Sequence, residues 1–176
     1  MENDHAARYP TGRFSPKEQY TFEEVQLLID KIAGFPSRLK QAVNALTPQQ
    51  MDTRYREGGW TLRQVIHHLS DSHLNAYIRL KWTLTEDTPT IKAYDEKRWV
   101  ETAEIKEDPQ MSVELLATLH AKWTRLLKGL TPEDFERGYL HPENGKLYTL
   151  AHQVAVYAWH GDHHLGHLRI VTDKAS

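Results

Sequence analysis

The chain contains no cysteine in its 176 residues. This absence excludes disulfide bonds, thiolate metal ligands and a cysteine nucleophile supplied by the protein itself. Any thiol chemistry would therefore need a thiol that arrives as a substrate. A metal site would have to be built from nitrogen or oxygen donors.

The chain also lacks a long apolar run and an excess of charge of either sign. No stretch approaches the roughly 20 apolar residues of a membrane span, and the N-terminus has no basic region followed by an apolar one. With 22 Lys and Arg against 24 Asp and Glu, the net charge is −2, which gives no electrostatic reason to bind nucleic acid or an anionic membrane. We therefore expect a cytoplasmic protein with neither partner. The length and the hydrophobic share of 39% predict one domain over residues 1–176.

Helix start signals recur along the chain. A threonine is followed three residues later by an acidic or amide residue at Thr21, Thr47, Thr61 and Thr131, as in a capping box. Apolar periodicity predicts long helices over 21–46, 61–86, 111–130 and 149–173 and a helical turn over 48–52. The Gly-Phe-Pro sequence at 34–36 predicts a break or kink in the first helix. The fold is predicted to be an all-α four-helix bundle, with a short hairpin over 138–148 as its only β-structure.

Histidine is abundant, and four of the eleven histidines fall within residues 160–167. Histidines at i and i+4 on a helix share one face and can bind one metal ion, and two such pairs occur here. At about 100° per residue, His164 lies about 60° and His160 about 100° from the centre of the apolar stripe. His163 and His167 point towards the solvent side. The inner pair, His160 and His164, is therefore the candidate ligand pair.

A second histidine group lies at His67, His68 and His73 in the second predicted helix. By helix phase, His73 falls within the apolar face, His68 lies at its margin and His67 points further out. A ligand at the seam between two helices should lie at an edge, which favours His68, whereas His73 is the better buried. Periodicity alone does not rank these two residues.

The chain resembles the DinB-like superfamily of metal-binding four-helix bundles and, within it, the YfiT-like proteins. The resemblance spans nearly the whole chain and rests on YREGGWTLRQV at 55–65, HHLSDSH at 67–73, YDE at 94–96, LHAKW at 119–123 and WHGDHHLGH at 159–167. Carried over residue by residue, the metal ligands of that family fall on His68, His160 and His164. The resemblance also implies an up-down-down-up helix order and a homodimer.

Three functions are compatible with an open three-histidine site that holds one divalent metal per chain, with zinc expected and nickel as the alternative. A hydrolase would use metal-activated water, since zinc lowers the pKa of bound water to about 7. A thiol S-transferase would activate a small-molecule thiol such as bacillithiol, as some relatives in the resembled family do. A non-enzymatic bundle would use the metal only for binding or dimerisation. Because all three ligands are neutral, the ion keeps its full charge, which favours Lewis-acid chemistry over a merely structural ion. A metal-dependent enzyme is therefore the preferred interpretation, with the hydrolase named first and the reaction left open between activated water and an activated thiol.

Residues beyond the ligands are harder to assign, and no general acid or base is identified. Asp71 and Gln64 each lie one turn from His68 and are candidates to accept its second ring N–H. His73 is predicted to be a hydrogen-bonded core histidine. His67, His163 and His167 are predicted to be surface residues.

Overall fold

The computed structural model describes residues 2–173. Four of its helices begin after a capping threonine. The side chains of Thr21, Thr47, Thr61 and Thr131 each accept a hydrogen bond from the backbone three residues on, and each cap is closed by the side chain at that position. In chain order the elements are α1 (Glu2–Arg8), α2 (Phe22–Asn44), α3 (Pro48–Met51), α4 (Leu62–Thr85), α5 (Glu96–Trp99), a 3₁₀ turn (Ala103–Lys106), α6 (Gln110–Lys128), α7 (Pro132–Glu136), β1 (Gly138–His141), β2 (Lys146–Thr149) and α8 (Leu150–Asp173).

The four long predicted helices correspond to α2, α4, α6 and α8, and each predicted end lies within two residues of the observed one. The predicted hairpin is confirmed as the antiparallel pair β1 and β2, with Gly145 at a φ of 64° in its turn. The predicted break in the first helix is wrong, because α2 continues through Gly34 and Pro36 as one helix. The break is avoided at the cost of one backbone hydrogen bond, since proline has no N–H to donate.

The four long helices form a bundle in which α4 and α6 are the one consecutive pair that provides a main contact. Helix α2 packs chiefly against α6 and α8, and so does α4. Contacts between side chains of different helices show the relative directions of the long helices. Helices α2 and α6 are antiparallel, as shown by the hydrogen-bonded pairs Asp30–Lys128 and Asn44–Gln110.

Helix α4 is antiparallel to α8, with His68 beside His160 and the backbone of Ala76 beside Gln153. It is parallel to α6, as shown by the pairs His67–Ser112 and His73–His120. The predicted up-down-down-up order is confirmed, and it brings the middle of α4 against the middle of α8.

The apolar core has two parts. One cluster contains the first half of α2, the second half of α4 and the first half of α8, and the other contains the opposite halves of the same helices. Histidines from α4, α6 and α8 lie between the two clusters. No helix within residues 2–173 is long and apolar enough to cross a lipid bilayer.

Gly161 allows α2 and α8 to approach closely at the level of the histidines. A Cβ at this position would lie 2.7 Å from the ring of Phe35, whereas a Cβ at Gly34, also inside a helix, would meet nothing within 4 Å. Phe35 is buried with an exposed fraction of 2%, so its ring has little room to move. Glycine at 161 is therefore required by packing and glycine at 34 is not.

We expect Gly161→Ala to lower the free energy of unfolding by about 1–3 kcal/mol through overpacking. Its matched control, Gly34→Ala, should raise it by about 0.5–1 kcal/mol, because alanine is the better helix former. Urea denaturation followed by circular dichroism measures both changes. Equal effects of the two substitutions would contradict the close approach at Phe35.

Candidate metal centre

His68 from α4 meets His160 and His164 from α8 at the crossing of these helices. One ring nitrogen from each of the three lies within 4.8 Å of the others, and the Nε2 atoms of His68 and His160 are 3.3 Å apart. Two nitrogens bound tetrahedrally to zinc at about 2.0–2.1 Å are themselves about 3.3–3.4 Å apart. The side chains therefore fit a zinc-sized ion, and the cluster could hold a metal.

Burial keeps these rings neutral. His68 and His164 are buried, with exposed fractions of 3% and 7%. Desolvation lowers the pKa of His68 to about 4 and holds the pKa values of His160 and His164 well below the ordinary value. Neutral imidazole, with a free nitrogen lone pair, is the form that binds a metal.

A second set of histidines overlaps the first. Ring nitrogens of His163, His164 and His167 also lie within 4.8 Å of one another, and the Nδ1 atoms of His164 and His167 are 3.1 Å apart. His164 belongs to both sets. Since all these ligands are neutral, two divalent ions side by side would repel each other without a bridging anionic group, so the arrangement suits one ion.

The prediction that His67, His163 and His167 are surface residues is wrong. Their exposed fractions are 4%, 8% and 2%. Helix phase identified the side of α8 that faces away from the bundle, but segments outside the four long helices cover that side. The ring of His167 stacks on Tyr55 at a centroid distance of 3.9 Å. Tyr9 lies 6.2 Å from the ring of His163, which also stacks on Trp159 of α8 itself.

The N-terminal segment contributes to the same cover. A Cβ at Gly166 would lie 2.7 Å from Pro10, so the chain after α1 runs directly over α8. His67 is covered differently, with its Nδ1 2.8 Å from Ser112 Oγ on α6. The periodicity of α8 or of α4 taken alone contains no signal for either cover.

A line of hydrogen-bonded histidines leads away from His160 into the core. His160 Nδ1 lies 3.1 Å from His73 Nε2, His73 Nδ1 lies 2.7 Å from His120 Nε2, and His120 Nδ1 lies 2.9 Å from the carbonyl oxygen of Ile32. The prediction that His73 is a hydrogen-bonded core histidine is confirmed. His120 is not identified as a site residue from the sequence, although it lies in LHAKW at 119–123, one of the motifs that carry the family resemblance.

The two proposed helpers of His68 lie elsewhere. Gln64 closes the cap of its own helix, where its Oε1 accepts from the Thr61 backbone, and its Nε2 donates to the carbonyl of Val100. Asp71 is half-buried, and burial together with Glu104 raises the pKa of its carboxyl to about 6. Within residues 2–173, neither side chain has a hydrogen bond to His68.

A cavity of about 550 Å³ opens beside the centre, with His163, His164 and His167 in its wall. Trp60, also in the wall, lies against His68 at a centroid distance of 4.8 Å. The charged residues of the wall are Arg8, Arg54, Arg56, Lys97 and Glu101. Four cations against one carboxylate make the cavity electropositive even before a metal ion is added.

Comparison with known proteins agrees with this architecture. Residues 32–168 match the DinB superfamily. The chain belongs to the DinB superfamily. Among the most similar members, "Putative metal-dependent hydrolase YfiT" of Bacillus subtilis is 47% identical over 161 residues, covering 91% of this chain and 90% of that protein.

Another DinB-superfamily relative, "Putative metal-dependent hydrolase OB0782" of Oceanobacillus iheyensis, is 46% identical over 161 residues, covering 92% of this chain and 93% of its own length. A solved structure of YfiT from Bacillus subtilis, described as "a probable metal-dependent hydrolase with an unusual four-helix bundle topology", superposes with a TM-score of 0.94 at 44% identity, over 97% of this chain and 98% of that one. The bundle described above is therefore shared with a solved relative.

The metal-free protein should lose stability as the pH falls. In the unfolded chain the histidines take up protons near the ordinary pKa of 6.5, whereas burial lowers the pKa of His120 to about 4 in the folded protein. Between these values the unfolded state binds more protons, so the free energy of unfolding falls, by up to about 3 kcal/mol for this group. Urea titrations at about pH 7, 6 and 5 measure the slope.

The variant His120→Gln removes this group and should show a shallower slope over the same range. A stability that does not change with pH, or equal slopes in the two proteins, would contradict the buried neutral state of His120.

Proposed function

We propose that the protein is a metal-dependent hydrolase in which His68, His160 and His164 bind one divalent ion, zinc in the first instance. The observation that carries this proposal is the meeting of three neutral nitrogen donors, within 4.8 Å of one another, beside a cavity. The names of the relatives from Bacillus subtilis and Oceanobacillus iheyensis support the same activity.

The set containing His68 is preferred to the set containing His163 for a geometric reason. Its ligands come from two different helices, so the bundle itself fixes their separation, and two of its nitrogens are already at the spacing expected for tetrahedral zinc. The other set lies on one helix only. His167 then serves His164 as a hydrogen-bonding partner through the two Nδ1 atoms.

Three protein nitrogens leave an open coordination position, and the bound ion would supply a Lewis acid that activates water near neutral pH. The protein provides the setting. Trp60 shields His68 on one side, and the arginines and Lys97 of the cavity attract an anionic substrate. We therefore expect substrates that carry a carboxylate or phosphate group near the bond that is hydrolysed.

Single substitution of His68, His160 or His164 by Ala should abolish stoichiometric metal binding, because two nitrogens hold zinc far more weakly than three. The protein is purified without a metal-binding tag, and its zinc is measured by inductively coupled plasma mass spectrometry. His152→Ala is the matched control, since His152 lies on α8 and is half-buried but belongs to neither histidine set. Stoichiometric zinc in His160→Ala and His164→Ala would contradict the ligand assignment.

The reaction is tested with a panel of esters and amides, in the presence and absence of zinc and of a thiol. Hydrolysis is expected with zinc and without any thiol. Consumption of an electrophile only when both zinc and a thiol are present would instead establish S-transfer. Zinc binding without turnover, either with or without a thiol, would favour the non-enzymatic module.

The charge of the cavity predicts a substrate preference. Arg56 lies in the cavity wall, where its Nη1 donates to the carbonyl of Glu57 and lies 3.5 Å from the carboxylate of the exposed Asp4, so its guanidinium is held at the cavity. Arg56→Gln should raise KM about tenfold for a carboxylate-bearing ester, the loss expected for one charge-assisted hydrogen bond.

The KM for the neutral analogue of that ester should change little in Arg56→Gln. Lys92→Gln, which removes an exposed cation that is not in the cavity wall, is the control and should leave both KM values unchanged. An equal rise in KM for the charged and neutral esters would show that Arg56 does not select for charge.

A further inference from the structure

Pro36 lies inside helix α2 and changes the hydrogen bonding of the turn before it. In an α-helix the N–H of residue 36 donates to the carbonyl of residue 32. Proline has no N–H, so the carbonyl of Ile32 loses its intrahelical donor. A buried carbonyl without a partner is costly, and another donor is expected to replace the missing one.

His120 supplies that donor from α6. Its Nδ1 lies 2.9 Å from the oxygen of Ile32, and a carbonyl oxygen can only accept, so the proton of this neutral ring is on Nδ1. Its Nε2 then carries a lone pair, and it lies 2.7 Å from His73 Nδ1. This second contact therefore has His73 as donor and His120 as acceptor.

The hydrogen bond between His73 and His160, next to the candidate metal centre, has the same direction. With its proton on Nδ1, His73 accepts at Nε2, which lies 3.1 Å from His160 Nδ1. His160 therefore donates from Nδ1 and keeps its lone pair on Nε2, the atom 3.3 Å from His68 Nε2. The alternative tautomer of His160 would place a proton where a metal ion must bind.

We propose that the carbonyl of Ile32, left without its helical donor by Pro36, anchors a relay through His120 and His73 that fixes the tautomer and the orientation of His160. His120 and His73 are then positioning residues for a metal that neither of them touches. The inference rests on the proposed function in one respect, which is that His160 is a ligand.

The packing holds the relay in place. His73 and His120 each have an exposed fraction of 1%, and their rings stack at a centroid distance of 4.9 Å. Phe35 contacts both rings, at 5.4 and 5.6 Å, and Trp123 meets both edge to face. These aromatic rings enclose the two imidazoles and keep away water that would compete for their nitrogens. The carbonyl of Ile32 therefore determines which nitrogen donates in each hydrogen bond as far as His160.

Two substitutions at 120 separate the relay from simple packing. In His120→Phe, His73 loses its acceptor, and its proton can move from Nδ1 to Nε2. His73 Nε2 would then donate to His160 Nδ1, and the proton of His160 would lie on Nε2. In His120→Gln, the side-chain oxygen can lie near the former Nε2 and accept from His73, so the direction is preserved. The control is His152→Phe, on α8 but outside the relay.

The first measurement is the tautomer of His160 in the metal-free protein, read from long-range ¹H–¹⁵N correlation spectra. Wild type, His152→Phe and His120→Gln should show the proton on Nδ1, and His120→Phe should show a mixture or the reverse. The second is the zinc dissociation constant from chelator competition, which should rise about 10–100-fold in His120→Phe, as for lost partners of metal-bound histidines, and far less in His120→Gln.

Pro36→Ala tests the anchor without touching a histidine. It restores an N–H that competes with His120 for Ile32, so zinc binding should weaken several-fold while the thermal midpoint rises, because proline is removed from a helix. If Pro36 affected zinc binding only through the stability of the fold, the zinc affinity and the thermal midpoint would change in the same direction. This variant also keeps the proposal testable if His120→Phe does not fold.

The proposal is overturned if the tautomer of His160 and the zinc affinity are unchanged in folded His120→Phe or in Pro36→Ala. It fails separately from the proposed function. A wild-type protein that binds no zinc refutes the metal centre, whereas the metal-free spectra still report whether Ile32, His120 and His73 set the proton of His160.

Discussion

The burial of uncharged imidazole rings is the constraint on which the structure depends. Seven of the eleven histidines are buried, and a neutral imidazole carries one donor and one acceptor, each of which is costly to leave unpaired away from water. Ring-to-ring hydrogen bonds, the carbonyl of Ile32 and the hydroxyl of Ser112 satisfy many of these atoms. The ring nitrogens of His68, His160 and His164, which lie together at the crossing of α4 and α8, could bind a cation.

The helix order determines which rings can meet. Because α4 is antiparallel to α8 and parallel to α6, His73 at the middle of α4 can reach His160 on one side and His120 on the other. The long connection over residues 88–109 makes this order possible by returning the chain along the bundle. A simple up-down-up-down bundle with the same helices would reverse both α6 and α8, so that Ser112 and His120 would exchange their levels relative to α4, and so would the two ends of α8.

Much of this architecture could be predicted from local sequence signals. Capping threonines and apolar periodicity locate the four long helices, since both act within a few residues of where they occur. Helix phase identified His160 and His164 as the inner pair on α8, and these side chains do meet His68. Phase failed for His163 and His167, because the segments around Tyr55 and Pro10 cover α8 from outside the bundle, and nothing in the periodicity of α8 describes its neighbours.

Pro36 shows why the remainder needed three dimensions. The sequence indicates that a proline in a helix leaves a carbonyl four residues earlier without a donor, and it predicts a break or kink at 34–36. The helix instead continues, and a donor from α6 takes the place of the missing N–H. Which donor does so depends on the register of α2 against α6, which is set by packing around Phe35 and Trp123 and is not encoded in either segment alone.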